Sequence, residues 1–304
     1  DQYPACHPIL ASLPKLTIHS WLTALQTERL EQKAQLITQR LALCNRNWED
    51  AFFITLARNF GFGLNGDAFE TWAGLLPFRA MDKHRNDLFQ IEAFFYGLAG
   101  LLEETFLKKE QEDEYSLRLC KEFRYLQRKF EIGQGMDATL WRFLRLRPEN
   151  FPHIRLAQLA YLYQKGDKLF SRLLEAETLA DVRTLLDART SPYWENHYLF
   201  GRLSSQKEKA MGERSKDLII INTVVPFLYT YGLHKADERM FERAGRFLEE
   251  LKAESNHIIR SWSDAGLAVV SAADSQALIQ LQKEYCDKRK CLYCRFGYEY
   301  LQHT

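Results

Sequence analysis

Residues 17–43, TIHSWLTALQTERLEQKAQLITQRLAL, decide the fold class. Ile18, Trp21, Leu22, Leu25, Leu30, Leu36, Ile37 and Leu41 are set among Gln, Glu, Lys and Arg. Their recurrence along a polar stretch, with three- and four-residue steps among 18, 21, 22 and 25 and between 37 and 41, predicts a long amphipathic helix. Working outward, Asn47 is placed to cap a second helix bearing Trp48, Phe52, Phe53, Leu56, Ala57 and Phe60. Gly61, Gly63 and Gly66 end it, and Asp67 opens a short helix that Pro77 stops. Residues 87–104 are apolar on nearly every side and predict a central helix. Residues 111–130 carry Tyr115, Leu119, Phe123, Leu126 and Phe130 on one face. Further helices are expected over 153–164, 179–186, 215–231, 235–252 and 256–265. A last one, capped by Asp274, is expected over 275–285. In the 215–231 helix, Pro226 removes a backbone donor and is expected to leave the Asn222 carbonyl unpaired. No alternating run is long enough for a strand. The fold class is therefore all-α: a multi-helix globular bundle, either one large helical domain or two lobes divided near Gly133 and Gly135 (residues 1–133 and 136–304).

Composition excludes several classes. Hydrophobic content of 46% suffices for a buried interior, and 27% charge does not mark disorder. The net charge of +1 lacks the bias of a dedicated nucleic-acid binder, although a local basic patch is compatible with it. The longest apolar run, 218–231, is broken by Asn222 and Pro226 and is shorter than the roughly 20 residues of a membrane span. The start lacks the charged head and apolar segment of a secretion signal, so a cytoplasmic location is expected. Because the first residue is Asp, an upstream segment is expected as well.

The most specific chemistry lies at the C-terminal end. Cys286-Asp-Lys-Arg-Lys-Cys291-Leu-Tyr-Cys294 puts three of the six cysteines in nine residues. Two cysteines separated by two residues hold their sulfurs on one side of a tight turn, as a tetrahedral ion requires. Lys288, Arg289 and Lys290 are expected to lower the thiol pKa values. A fourth ligand must come from elsewhere. Cys6, His7 and His303 are candidates, and Cys6, in a Pro-bounded irregular segment, is the choice. Cys44 and Cys120 fall within predicted helices and read as core thiols. Zinc is the expected ion, and an iron–sulfur cluster is the competitor. Four thiolates leave no open position, so the role would be structural.

Other motifs are weaker. Gly61-Phe-Gly63-Leu-Asn-Gly66 matches a dinucleotide fingerprint in letters only, because a helix stands where a strand should. Glu254-Ser-Asn-His257 is a single Glu-x-x-His pair, whereas a di-iron bundle needs two. Arg142, Arg145, Arg147 and Arg155 cluster in RFLRLRPENFPHIRLAQLA, with Phe143, Phe151 and His153 interleaved. Such a group can clamp phosphate. The competing reading is internal, with the arginines tying the loop to acids such as Glu149, and it is the stronger one at this net charge. Arg145, Arg147, Arg155 and Lys165 are the anion-binding candidates. Ser191-Pro-Tyr-Trp194-Glu-Asn-His197-Tyr198 reads as a helix start packed on the core or as a pocket wall.

Several stretches together carry a family resemblance. They are Trp48-Glu49-Asp50, LARNFGF at 56–62, FQIEAFFYGLAGLL at 89–102 and RFLRLRPENFPHIRLAQLA at 142–160, with SPYWENHYLFG at 191–201, INTVVPFLYTYG at 221–232 and ADSQALIQLQKEYCDKRKCLYC at 273–294. In these the chain resembles the C-terminal helical part of a bacterial family of unknown function, DUF2851. The resemblance implies a longer N-terminus of nuclease-like character. It also implies cysteines at Cys6 and at all three C-terminal positions, although Ala5 is inserted after Pro4 here. It does not include Gly63, Gly66 or His257, and it supplies no activity.

Two functions follow as expectations. The first is a helical scaffold or binding module with a structural metal knuckle at 286–297, the nucleic-acid-binding part of a longer nuclease-like protein. The second is a DNA-repair-like helical enzyme with a C-terminal iron–sulfur cluster. The second lacks a helix-hairpin-helix turn, and no catalytic constellation is complete. A third possibility is partner binding through Trp194 and Tyr198.

Overall fold

The computed structural model describes Pro4 and residues 6–303. The chain is mostly helical, with one two-stranded hairpin among the described residues. It divides into two compact units. One is continuous, Leu43–Thr223, and the other is built from the two ends, Asp1–Ala42 and Val224–Thr304. Gly133 and Gly135 therefore lie inside the first of these, away from the boundary expected between lobes. Both lie in the irregular stretch after Glu114–Lys129.

In the Leu43–Thr223 unit, Trp48–Phe60 is capped as its sequence predicts: the Asn47 side chain accepts from the Glu49 and Asp50 amides. The central Leu88–Leu98 helix is the apolar one, with Ile91, Phe94, Phe95, Tyr96 and Leu98 buried. It packs against Glu114–Lys129 and Pro152–Lys165. Aromatic rings knit the centre: Phe53 meets Tyr163 edge-on at 5.3 Å, and Trp72 meets Phe95 at 4.7 Å. The hairpin, His197–Leu199 with Arg202–Leu203, is too short for alternation to reveal in sequence.

The disruption expected from Pro226 takes a different form. Helix Glu213–Ile219 runs into a π-turn over Ile220–Val224 and continues as Val225–Lys235. The Asn222 carbonyl is not left unpaired: Asn59 donates to it at 3.0 Å and to the Thr223 hydroxyl at 2.8 Å. The carbonyl freed by the missing proline N–H thus finds a side-chain donor.

In the second unit Ala272–Gln280 packs against Glu238–Glu250 and His257–Asp264, and the Lys15–Leu43 helix joins them through Leu22 and Leu25. Its core joins Leu10, Leu22, Leu25, Ile259, Trp262, Leu278, Leu281 and Phe296. The last long helix is capped by Ser271, not by Asp274, which closes the capping box from the third position. It ends in a second π-turn, Leu281–Cys286, that leads into the cysteines. No helix among the described residues is long and apolar enough to cross a membrane.

Replacing Asn59 by leucine should remove its hydrogen bonds to the Asn222 carbonyl and the Thr223 hydroxyl and lower stability by about 1–3 kcal/mol in urea unfolding. Parent-like stability would show that the carbonyl is satisfied in another way.

Candidate functional site

The four predicted cysteine ligands come from three segments of one unit. Cys6 stands at the N-cap of His7–Leu10, and that short helix packs against Arg295–Gln302. Cys286 closes the π-turn, Cys291 opens the 3₁₀ turn Cys291–Tyr293, and Cys294 is the N-cap of Arg295–Gln302. Cys6 and Cys294 are buried, Cys286 is half-buried and Cys291 is exposed; all four are free thiols. They lie within electrostatic reach of one another. Burial first, then Cys294 and Cys291, push the Cys6 thiol up to about 11. Burial, then Cys294, Cys6 and Cys291, push Cys286 up to about 12. Burial also raises Cys294, while the backbone N–H groups of Gly297 and Phe296 draw it back.

The lowering expected from Lys288, Arg289 and Lys290 is thus not seen at Cys286 or Cys294. Their heads are in water, Lys288 pairs with Glu284 at 2.5 Å, and desolvation of the sulfurs outweighs them. Among the described residues, no three His, Cys, Asp or Glu side chains stand in an arrangement ready to hold a metal ion. The sulfurs are gathered but not drawn into a ligand set.

One glycine permits the gathering. A Cβ on Gly297 would stand 2.6 Å from the Cys291 carbonyl oxygen and 2.9 Å from its Cα. Only glycine lets the first turn of the last helix lie this close to the cysteine loop. Of the other ligand candidates, His7 is exposed, and His303 shares its Nδ1 with the Glu299 carbonyl. Cys120 is half-buried within Glu114–Lys129 and donates to the Leu102 carbonyl at 3.4 Å, while Cys44, expected within a helix, is half-buried in the turn just after Lys15–Leu43.

The anion-binding candidates do not form one site. Arg155 is buried: it donates to Gln158 at 2.9 Å and to Asn150 at 2.6 Å, and lies over the Phe62 ring at 4.4 Å. Burial lowers its pKa to about 10. It ties the loop to its own helix, the internal role the sequence left open. Lys165 is ten residues further along Pro152–Lys165, about 15 Å up the helix axis. Arg145 and Arg147 remain exposed on the loop, as does Arg142, while Glu149 pairs with Lys207. His153 adds no cation, because burial pushes it down to about 3.

Three further motifs resolve into structure. Gly61 caps one helix and Gly66 opens the next, so the glycine-rich stretch is a helix–helix turn. Glu254 accepts hydrogen bonds from Gln276 and Ser275, and His257 begins a helix capped by Asn256. Trp194 is wholly buried and offers no partner surface, and Tyr198 is half-buried beneath Lys209.

A buried carboxyl escaped the sequence reading. Glu92, on the central helix, is fully buried and accepts from the Tyr115 and Ser191 hydroxyls. Burial pushes it up to about 7, against the pull of those two donors. Its position in a wholly apolar helix, FQIEAFFYGL, was the available signal.

A family model described as a protein of unknown function, DUF2851, matches residues 1–257. The chain belongs to this family. The match ends before Cys286, so the C-terminal cysteines that the resemblance was expected to include lie beyond it. No curated protein and no solved structure matches the chain significantly.

Two outcomes test these clusters. The folded chain holds the Glu92 proton to about pH 7, whereas an exposed glutamate releases it near 4.5. That proton therefore stabilises the fold fully below about 4.5, and the contribution is lost as pH rises towards about 7. It is on the order of 3 kcal/mol. Urea unfolding at pH 5 and pH 8 should show Glu92→Gln losing far less stability between the two than the parent. Equal losses would assign the pH dependence elsewhere. Gly297→Ala should cost about 1–3 kcal/mol by overpacking against Cys291. Gly245→Ala, on an open helix face with nothing within 4 Å, should be neutral or stabilising in the same melting experiment.

Proposed function

We propose that the chain is a helical binding module in which Cys6, Cys286, Cys291 and Cys294 hold a structural zinc ion. The observation that carries the reading is the convergence of four free thiols from both ends of the chain on one corner of one unit. Packing alone does not call for this, since a small hydrophobe would fill each place. The donor set fits the ion. Four sulfurs complete a tetrahedron, the spacing Cys291-x-x-Cys294 suits adjacent ligands, and the N-cap position of Cys294 favours its thiolate. A divalent cation would offset the desolvation that keeps the thiols protonated, and would draw the sulfurs inward to about 2.3 Å. With every coordination position taken by protein, the ion would act as a staple and leave none for a substrate.

Four cysteines also satisfy an iron–sulfur cluster, and metal analysis separates the two. Protein purified without added metal should carry about one zinc per chain and no visible colour. Cys294→Ser should lose that metal and melt at a lower temperature, while Cys44→Ser should keep it. Absence of metal from the parent, or its retention in Cys294→Ser, would overturn the site. Iron with broad visible absorbance would replace zinc by a cluster.

A further inference from the structure

We infer that the tip of the cysteine loop is a docking surface for single-stranded nucleic acid. This rests on the reading of the loop as a pinned knuckle and names its partner. The tip presents an unusual combination. Leu292 and Tyr293, between the second and third cysteines, are 70% and 79% exposed. Neither belongs to the core cluster, and Tyr293 stacks on no other ring among the described residues. Around them stand Lys288, Arg289, Lys290 and Arg295, all exposed, against the single carboxylate of Asp287 in the same stretch. Lys288 and Arg295 are engaged by Glu284 and Glu299 one helical turn away. Arg289 and Lys290 make no ion pair among the described residues.

Beside the tip, Arg295 forms one wall of a groove of about 270 Å³ lined also by Leu16, Thr17, Ser20, Trp21 and Ala24. One cation therefore borders both the exposed tip and a recess with an indole and two hydroxyls. An exposed aromatic ring flanked by unpaired cations is the arrangement that stacks a base and neutralises its neighbouring phosphates. A recess with hydroxyls at its wall suits a second, splayed base. An acidic peptide would meet the cations but would leave the Tyr293 face and the recess unused. A duplex would offer no free base face to either.

The experiment uses the full chain as purified, with its metal content measured for every variant. A fluorescein-labelled oligothymidine of about 16 nucleotides is titrated by fluorescence anisotropy. Binding should weaken with salt, with a logarithmic slope near −2 for about three neutralised phosphates. Lys290→Glu and Tyr293→Ala should each weaken binding about tenfold or more with metal content unchanged. Tyr293→Phe, which keeps the ring, should bind like the parent. Binding that is absent, that survives both tip substitutions, or that falls instead with Arg147→Glu on the other unit would overturn the proposal. So would polyglutamate competing as well as unlabelled oligothymidine. If the parent holds no metal but shows this pattern, the tip surface stands and only the metal reading fails.

Discussion

The constraint on which the rest depends is the closure of the chain's two ends into one unit. Residues 1–42 and 224–304 build a single core, with the whole Leu43–Thr223 unit inserted between them. For a flexible connector of about 180 residues, bringing the ends together costs on the order of 5 kcal/mol. Folding of the inserted unit lowers that cost, because it fixes the distance between its own ends. Even so, every contact between the first 42 residues and the last 81 is long-range, and such contacts form only after closure.

Apolar burial alone is a blunt device for this task, since it does not fix register. The directional part is a polar network between the Lys15–Leu43 helix and the C-terminal segment. Arg29 Nε and Lys33 Nζ both donate to the Gln276 side-chain oxygen, at 2.6 and 2.8 Å. Gln280 donates to Glu28 at 3.0 Å, and the Tyr285 hydroxyl reaches the other Glu28 oxygen at 2.9 Å. Burial lowers the pKa of both Arg29 and Lys33. Half-buried cations that have given up part of their hydration lose more if the partner amide slips than an apolar contact would. The network therefore sets the rotation of one helix against the other, and the hydrophobic cluster around Trp262 and Phe296 fills the space this defines. Trp21, edge-on to Tyr285 at 5.5 Å, links that cluster to the π-turn that delivers Cys286.

Helices were legible because a period near 3.6 and a capping side chain are local properties, as Asn47 and the apolar recurrence at 17–43 illustrate. What depends on distant partners was not. The carbonyl freed by Pro226 is visible in sequence, but its rescue by Asn59 comes from 163 residues away. Gly133 and Gly135 look like a domain boundary because glycine marks any turn equally well. Gly135 in fact lies against the Gly97 and Leu98 carbonyls, inside a unit. The arginines divide for the same reason. Arg145 and Arg155 are alike in sequence context, yet one projects from a loop at φ 65° and the other is sealed beneath Phe62. The cysteines were legible as a group because three are close in sequence. The convergence of Cys6 on them is a tertiary fact that the chain's closure produces.

The closure also bears on why the cysteine corner is built as it is. The Arg295–Gln302 helix is short, lies near the end of the chain and has Tyr298 and Leu301 exposed on its outer side. Its buried contribution is little more than Phe296 and the close approach at Gly297. A helix of eight residues is not stable by itself. It is held instead by His7–Leu10 from the opposite end of the chain, itself one turn long. Two marginal helices that depend on each other form a weakly cooperative corner unless something directional joins them. Cysteines at the N-caps of both, Cys6 and Cys294, occupy the positions from which such a join would act on both helices at once. The exposed loop between Cys286 and Cys294 would then be fixed at both ends, so that its polar and aromatic side chains project from a rigid base. A surface loop held in this way loses less conformational entropy on meeting a partner than a free one.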